Sequence, residues 1–203
     1  MTSVITGDII NSKNVFPAIW LKTLKKELSN WGTTPKQWEI YRGDSFQVEI
    51  EDNRKALTAA IHIKAAIKSL KGLDVRMAVG IGGKTYNAKK ITESNGSAFV
   101  HSGELAEELK KLKLNLAIRS DHRGFDEEIN LYLKLALNIM NRWTANAAET
   151  IHAAMQNPGM SQEELGKLLG IKQNAVSTRL KRACYDEIME VISVYESKIA
   201  GLK

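Results

Sequence analysis

Trp38-Glu39-Ile40-Tyr41-Arg42-Gly43-Asp44-Ser45-Phe46-Gln47-Val48-Glu49-Ile50 is the stretch whose reading decides the fold. Large apolar and polar residues alternate on both sides of Arg42-Gly43-Asp44. Period-two alternation around a Gly-Asp tip predicts a β-hairpin. Working outward, Val4 to Ile10 reads as a short apolar strand, and Phe16 to Ser29 as an amphipathic helix with Ile19, Leu21, Leu24 and Leu28 at helical spacing. On the far side, Asn53 to Leu70 is a second helix opened by an Asp-Asn capping signal. Val75 to Ile81 is a buried strand closed by Gly82-Gly83. Strand, helix, hairpin, helix, strand is the ferredoxin-like (palm-type) β-α-β-β-α-β order. Lys84 to Gly96 has no period and reads as a loop, Ser97 to Leu112 as a helix and Leu114 to Arg119 as a further strand. The order predicts a mixed, mainly antiparallel sheet with its helices on one face.

After a turn at Asp121-His122-Arg123-Gly124 the pattern becomes helical. Asp126 to Asn157 reads as one long helix, opened by acidic residues that suit a helix N-terminus and stopped by Asn157-Pro158-Gly159. Ser161 to Leu169, and then Gln173 toward Lys203, are two further helices. The expected class is therefore α+β: a palm-like domain over residues 1–124, then an all-α unit over 125–203 holding a connecting helix and a helix-turn-helix.

Composition excludes several classes. A hydrophobic share of 43% with only 3 Pro and 14 Gly in 203 residues is not that of a disordered or collagen-like chain. The single cysteine, Cys184, excludes an internal disulfide and a multi-cysteine zinc site. No apolar run reaches the ~20 residues that span a bilayer. Met1 to Asp8 lacks the basic start and apolar core of a signal peptide, so the expected compartment is the cytoplasm, with no membrane partner. The net charge of +6 permits a nucleic-acid partner without requiring one.

The most specific motif is Ser161-Gln162-Glu163-Glu164-Leu165-Gly166-Lys167-Leu168-Leu169-Gly170-Ile171-Lys172-Gln173-Asn174-Ala175-Val176-Ser177-Thr178-Arg179-Leu180. A helix-turn-helix needs a small residue where its helices cross, a glycine in the turn, an apolar residue after it and inward apolar residues on the second helix. Gly166, Gly170, Ile171, and Val176 with Leu180 meet those needs. Ser161 with Glu164 forms a capping box. Lys172, Gln173, Asn174, Ser177, Thr178, Arg179 and Arg182 are the candidate DNA contacts. Gln and Asn read base edges, Arg reaches guanine or phosphate, and Ser and Thr suit phosphate oxygens. Between Lys172 and Arg182 there are four basic residues and no acidic one. The stretch resembles helix-turn-helix regulators of the sigma-factor and repressor type, with Gly166 where those families usually carry Ala.

A second constellation lies in the sheet part. Asp8 ends the first strand and Asp44 sits at the hairpin tip, so the predicted order brings two carboxylates to neighbouring strand ends. Two carboxylates with a nucleotide's phosphates make a Mg²⁺ site. Gly43 allows close approach to a phosphate. Lys84, Lys89 and Lys90 are candidate phosphate contacts, and Tyr86 a candidate stacking residue.

Gly7-Asp8-Ile9-Ile10, Gly43-Asp44-Ser45-Phe46-Gln47, Arg76-Met77-Ala78-Val79-Gly80-Ile81-Gly82 and Ser94-Asn95-Gly96-Ser97-Ala98-Phe99 together resemble the SatD family of bacterial proteins, over most of the chain. More distantly, the N-terminal part is similar to the palm-type domains of class III nucleotidyl cyclases and GGDEF diguanylate cyclases. That resemblance implies metal ions held at Asp8 and Asp44. The chain departs from it at Ser45, where diguanylate cyclases carry a catalytic acidic residue. Val100 and Glu104 align with the cyclases' transition-state Asn and Arg, and Ile40 with their base-selecting Lys. Neither Val100 nor Glu104 can donate to developing phosphate charge. No catalytic residue is therefore assigned.

The remaining candidates read as structural. His62 and His152 each lie alone in a helical pattern, and His101 and His122 find no second ligand nearby in sequence. Cys184 reads as a small core residue. Two readings follow. The first is a cytoplasmic DNA-binding transcriptional regulator whose palm-like sensor binds a nucleotide with Mg²⁺. It acts as a homodimer, with the long helix or Ile188, Ile192 and Tyr195 of the last helix as the interface. The alternative is a nucleotidyl cyclase-type enzyme using Asp8 and Asp44 as metal ligands.

Overall fold

A computed structural model describes residues 1–202. Its centre is β1 (Thr2–Ile10), nine residues whose alternate side chains enter opposite layers. β2 (Trp38–Tyr41) and β3 (Ser45–Ile50) are the hairpin, and β4 (Asp74–Gly82) and β5 (Leu116–Arg119) complete a five-stranded sheet. The order is β2-β3-β1-β4-β5. β1 is antiparallel to both β3 and β4, β2 is antiparallel to β3, and β5 joins β4 in parallel. A parallel neighbour needs a crossover, and α3 (Ser97–Leu112) supplies it.

The register sorts the two faces. Ile5 stands beside Val48 and Val79, and these side chains belong to the main core. α1 (Pro17–Ser29) and α2 (Ala56–Lys68) cover that face. Val4, Thr6 and Asp8 point the other way, toward α3. There Thr6 donates to the Ser102 hydroxyl at 3.0 Å. The helices therefore lie on both faces, where the sequence predicted one. Gly80 is the reason α3 sits so close: a Cβ there would stand 2.1 Å from the Ala98 carbonyl oxygen. α3 rests on β4 and β1 and leaves the same face of β3 and β2 open, with Glu39, Tyr41, Ser45 and Gln47 half-buried.

The C-terminal half holds five helices: α4 (Arg123–Met140), α5 (Ala145–Gln156), α6 (Gln162–Leu169), α7 (Gln173–Arg182) and α8 (Tyr185–Ala200). α4 begins inside the expected turn at 121–124. The long helix expected over Asp126–Asn157 is two helices, broken after Asn141. The Thr144 hydroxyl caps α5 by accepting from the Ala147 amide at 3.2 Å. Trp143 turns inward and its indole donates to the Ala183 carbonyl at 3.0 Å. The last helix also breaks, at Cys184, which adopts the left-handed region with φ 51°.

One core cluster runs without interruption from the sheet through α1 and α2 into α4, α5, α7 and α8. This continuity explains α2, where Ala59, Ala60, Ile63, Ala65 and Ile67 are all fully covered, since α5 packs on the side that the sheet does not. It also explains Ile188, Ile192 and Tyr195. They are only 2%, 4% and 0% exposed, packed within the chain instead of facing a partner copy. The Tyr195 hydroxyl donates to the Asn53 carbonyl at 2.7 Å. Burial pushes that phenol far above its ordinary value. Among the described residues no helix is long and apolar enough to cross a membrane.

Candidate functional site

α6 and α7 form a tight pair. Ser161 and Glu164 close the capping box: Glu164 accepts from the Ser161 amide at 2.7 Å, and the Ser161 hydroxyl accepts from the Glu164 amide at 3.3 Å. Gly170, at φ 66°, ends α6. The Ile171 amide then donates back to the Gly166 carbonyl at 2.9 Å. A Cβ on Gly166 would stand 2.7 Å from the Ile171 carbonyl oxygen, so the chain leaving the turn passes directly over this position. Leu165, Val176 and Leu180 are buried beneath the pair.

This packing fixes which side of α7 faces out. Lys172, Gln173, Asn174, Thr178, Lys181 and Arg182 are exposed, and Ser177 is half-buried. Gln173 reaches Gln162 at 3.3 Å, and the Thr178 hydroxyl donates to the Asn174 carbonyl at 2.8 Å. Arg179 turns back onto α5: one guanidinium nitrogen lies 3.3 Å from the Thr150 hydroxyl, 3.4 Å from the Asn146 carbonyl and 3.7 Å from the Glu149 carboxylate. Arg179 thus fastens α7 to α5. Arg142, Arg179 and Arg182 line a cleft of about 430 Å³ between the α4–α5 break and α7. Arg142 and Asn146 carried no sequence signal, because the break that places them was unrecognised.

At the other candidate site, Asp8 pairs with Ser45 across β1–β3, so Asp8 and Asp44 come together at one end of the sheet. Asp44 accepts from the Ser12 hydroxyl at 2.6 Å. Asp8 lies 3.5 Å from the Arg76 guanidinium. Burial pushes the Asp8 carboxyl up; Arg76 and Lys110 pull it down, and Asp44 adds to the rise. The Arg76 Nε is buried without a hydrogen-bond partner. Arg42 takes the left-handed region at φ 51°, followed by Gly43 at φ 90°. Burial also raises the Tyr41 phenol, against Arg42 and Lys110.

The lysine loop lies elsewhere. β4 leaves the sheet beside Thr2, at the opposite end of β1 from Asp8, about 20 Å of strand away. Lys84 is in a 2.5 Å ion pair with Glu49 and lies over the Phe99 ring. Tyr86 is bridged to Asn95 and 62% exposed. Lys89 and Lys90 are exposed, and Lys90 lies 4.0 Å from Glu93. The structure brings together Asp8, Gly43 and Asp44, adds Arg42, Arg76 and Lys110, and separates Lys84, Tyr86, Lys89 and Lys90 from them. The added cations are distant in sequence and meet the aspartates only through strand order.

The class these observations define is an α+β protein with a five-stranded mixed sheet under a layer of helices that carries a basic helical pair. The sequence profile described as the SatD family matches residues 3–189. The chain belongs to the SatD family. Neither the curated proteins nor the solved structures contain a match.

Proposed function

We propose that the chain is a DNA-binding transcriptional regulator, in which α6 and α7 act as a helix-turn-helix and the sheet part, with its ferredoxin-like palm-type strand order, senses a ligand. The observation that carries the reading is the outer face of α7. Lys172, Gln173, Asn174, Thr178, Lys181 and Arg182 are all exposed on a helix that packing and Arg179 hold in one orientation. Such a face meets both demands of a duplex, with cations for phosphates and amides for base edges. The regulator works in the cytoplasm as a two-fold homodimer, the geometry that most operators match. Gel-shift titration of genomic fragments over a salt series tests it. Wild type binds with strong salt dependence. Lys172→Ala and Arg182→Ala each weaken binding across sequences and reduce the salt slope by about 1. Wild type that gives no salt-sensitive shift overturns the reading.

A second reading concerns the ligand. Asp8 and Asp44 supply hard oxygen donors suited to Mg²⁺. Arg76, 3.5 Å from Asp8, and Arg42 and Lys110 add positive charge around them, with Lys110 already paired to Glu107 at 3.0 Å. A Mg²⁺–nucleotide fits this donor set. In a nucleotidyl cyclase-type enzyme the same two aspartates would hold metal for attack of a 3′-hydroxyl on an α-phosphate. Calorimetry with ATP or GTP and Mg²⁺, repeated with Asp44→Ala, tests binding. Chromatography of the incubated nucleotide separates sensor from enzyme.

A further inference from the structure

Glu27, His62 and His152 stand on three different helices, α1, α2 and α5, and meet where the C-terminal helices close over the sheet layer. One ligand atom from each lies within 4.8 Å of the others. His152 Nε2 is 2.9 Å from Glu27 Oε1. The two imidazole rings meet edge-on with centroids 5.8 Å apart, and the Trp31 ring closes the far side of His62 at 6.2 Å. Glu27 is 1% exposed, yet its Oε2 has no hydrogen-bond partner. A buried carboxylate oxygen left unpaired is costly, and this one belongs to the cluster itself.

We propose that Glu27, His62 and His152 bind a divalent transition-metal ion of the zinc type. Two imidazoles and one carboxylate are a recurrent three-protein-ligand set for such ions. The ion would take Glu27 oxygen, including the Oε2 that is now unpaired, and His152 would turn an unprotonated ring nitrogen to it, with the ring's one proton on the other nitrogen. Donors 2.0–2.1 Å from a tetrahedral zinc lie about 3.3 Å apart, so ligand atoms now within 4.8 Å of one another close by at most about 1.5 Å through side-chain rotation. One further feature fits. His62 lines a cleft of about 360 Å³ between α2, α5 and α8, which gives an ion a way in. The bound ion would join α1 and α2 to the helix on which α7 rests. Nothing in this site depends on DNA or nucleotide binding.

The full chain, stripped with EDTA, is titrated with Zn²⁺ against a chromophoric chelator. One ion binds per chain, Co²⁺ in its place gives the visible absorption of a four-coordinate site, and Mg²⁺ does not compete. His62→Ala and Glu27→Gln each weaken Zn²⁺ binding by more than the ~10–100-fold that loss of an outer partner causes. Wild type alone supplies an independent readout, because the chain has only 4 histidines. One equivalent of Zn²⁺ shifts the imidazole NMR signals of His62 and His152 and leaves those of His101 and His122 in place. With Zn²⁺ at one hundred times its dissociation constant, the folded-to-unfolded ratio rises about 100-fold. Zn²⁺ that shifts His101 or His122 instead, or that binds His62→Ala as tightly as wild type, overturns the proposal.

Discussion

At the scale of single residues, Asp8 shows how a candidate site is set against stability. Burial raises its carboxyl above the ordinary value. The folded state therefore holds the Asp8 proton more tightly than the unfolded chain does. The stability this contributes is fully present below the unfolded value of 3.8 and is lost as pH rises through the raised folded value. Asp8→Asn, which cannot ionise, is expected to raise the urea midpoint at pH 7 and leave it nearly unchanged at pH 3, in the sense expected of a functional site. An equal effect at both pH values would trace the change to packing. The meeting of Asp8 with Asp44 was legible in the sequence, because it follows from strand order alone. The fate of Lys84 was not, since its partner Glu49 lies 35 residues away and local pattern carries no such distance. The same limit hid His62 and His152, which look solitary along the chain and meet only when α5 lies on α2.

Among the elements, the α6–α7 pair was the most legible, because capping, turn and crossing residues all fall within 20 residues of one another. The presence of glycine instead of alanine at position 166 has a geometric reason. A Cβ would meet the Ile171 carbonyl oxygen at 2.7 Å, and that oxygen belongs to backbone that cannot swing aside. Gly166→Ala gains up to about 1 kcal/mol of helix propensity but forces an overlap of the kind that costs about 1–3 kcal/mol. The variant is expected to lower the melting temperature and speed amide exchange in α7. A melting temperature above wild type would show that the turn relaxes freely. The broken helices were less legible. Asp126–Asn157 keeps a continuous apolar pattern through Trp143, so periodicity alone does not register that Trp143 turns toward Ala183 and that Thr144 starts a new helix. The expected one-faced sheet failed for a related reason: residues of β4 that face α3, such as Ala78 and Gly80, are as apolar as those that face α2.

Across the whole molecule, the sheet and the C-terminal helices share a polar anchor as well as a core. The Lys64 ammonium is fully buried and pairs with Asp74 at 2.8 Å, while also donating to the Asn141 side chain at 3.0 Å. Lys68 joins the same carboxylate at 3.2 Å and donates to the Asn141 carbonyl at 3.1 Å. β4, α2 and the end of α4 are thus tied at one point. Burial lowers the Lys64 pKa, with Asp74 opposing. Asp74→Ala leaves that ammonium buried without its counter-charge and is expected to cost about 3–5 kcal/mol in urea unfolding. Lys64→Met, which removes the buried charge and keeps the volume, is expected to cost far less. If the two variants unfold alike, packing and not charge holds the junction.

The hydrogen bond from Tyr195 to Asn53 bears on how the protein is made. The partners lie 142 positions apart, a length of chain that emerges from a ribosome in about 7–28 s at ~5–20 residues per second. For much of that interval α2 has been synthesised but lacks α5, which covers most of its outer side. Its alanine-rich and isoleucine-rich surface is then open to chaperones or to a neighbouring nascent chain. That exposure ends only as α5 and α8 emerge and pack on α2.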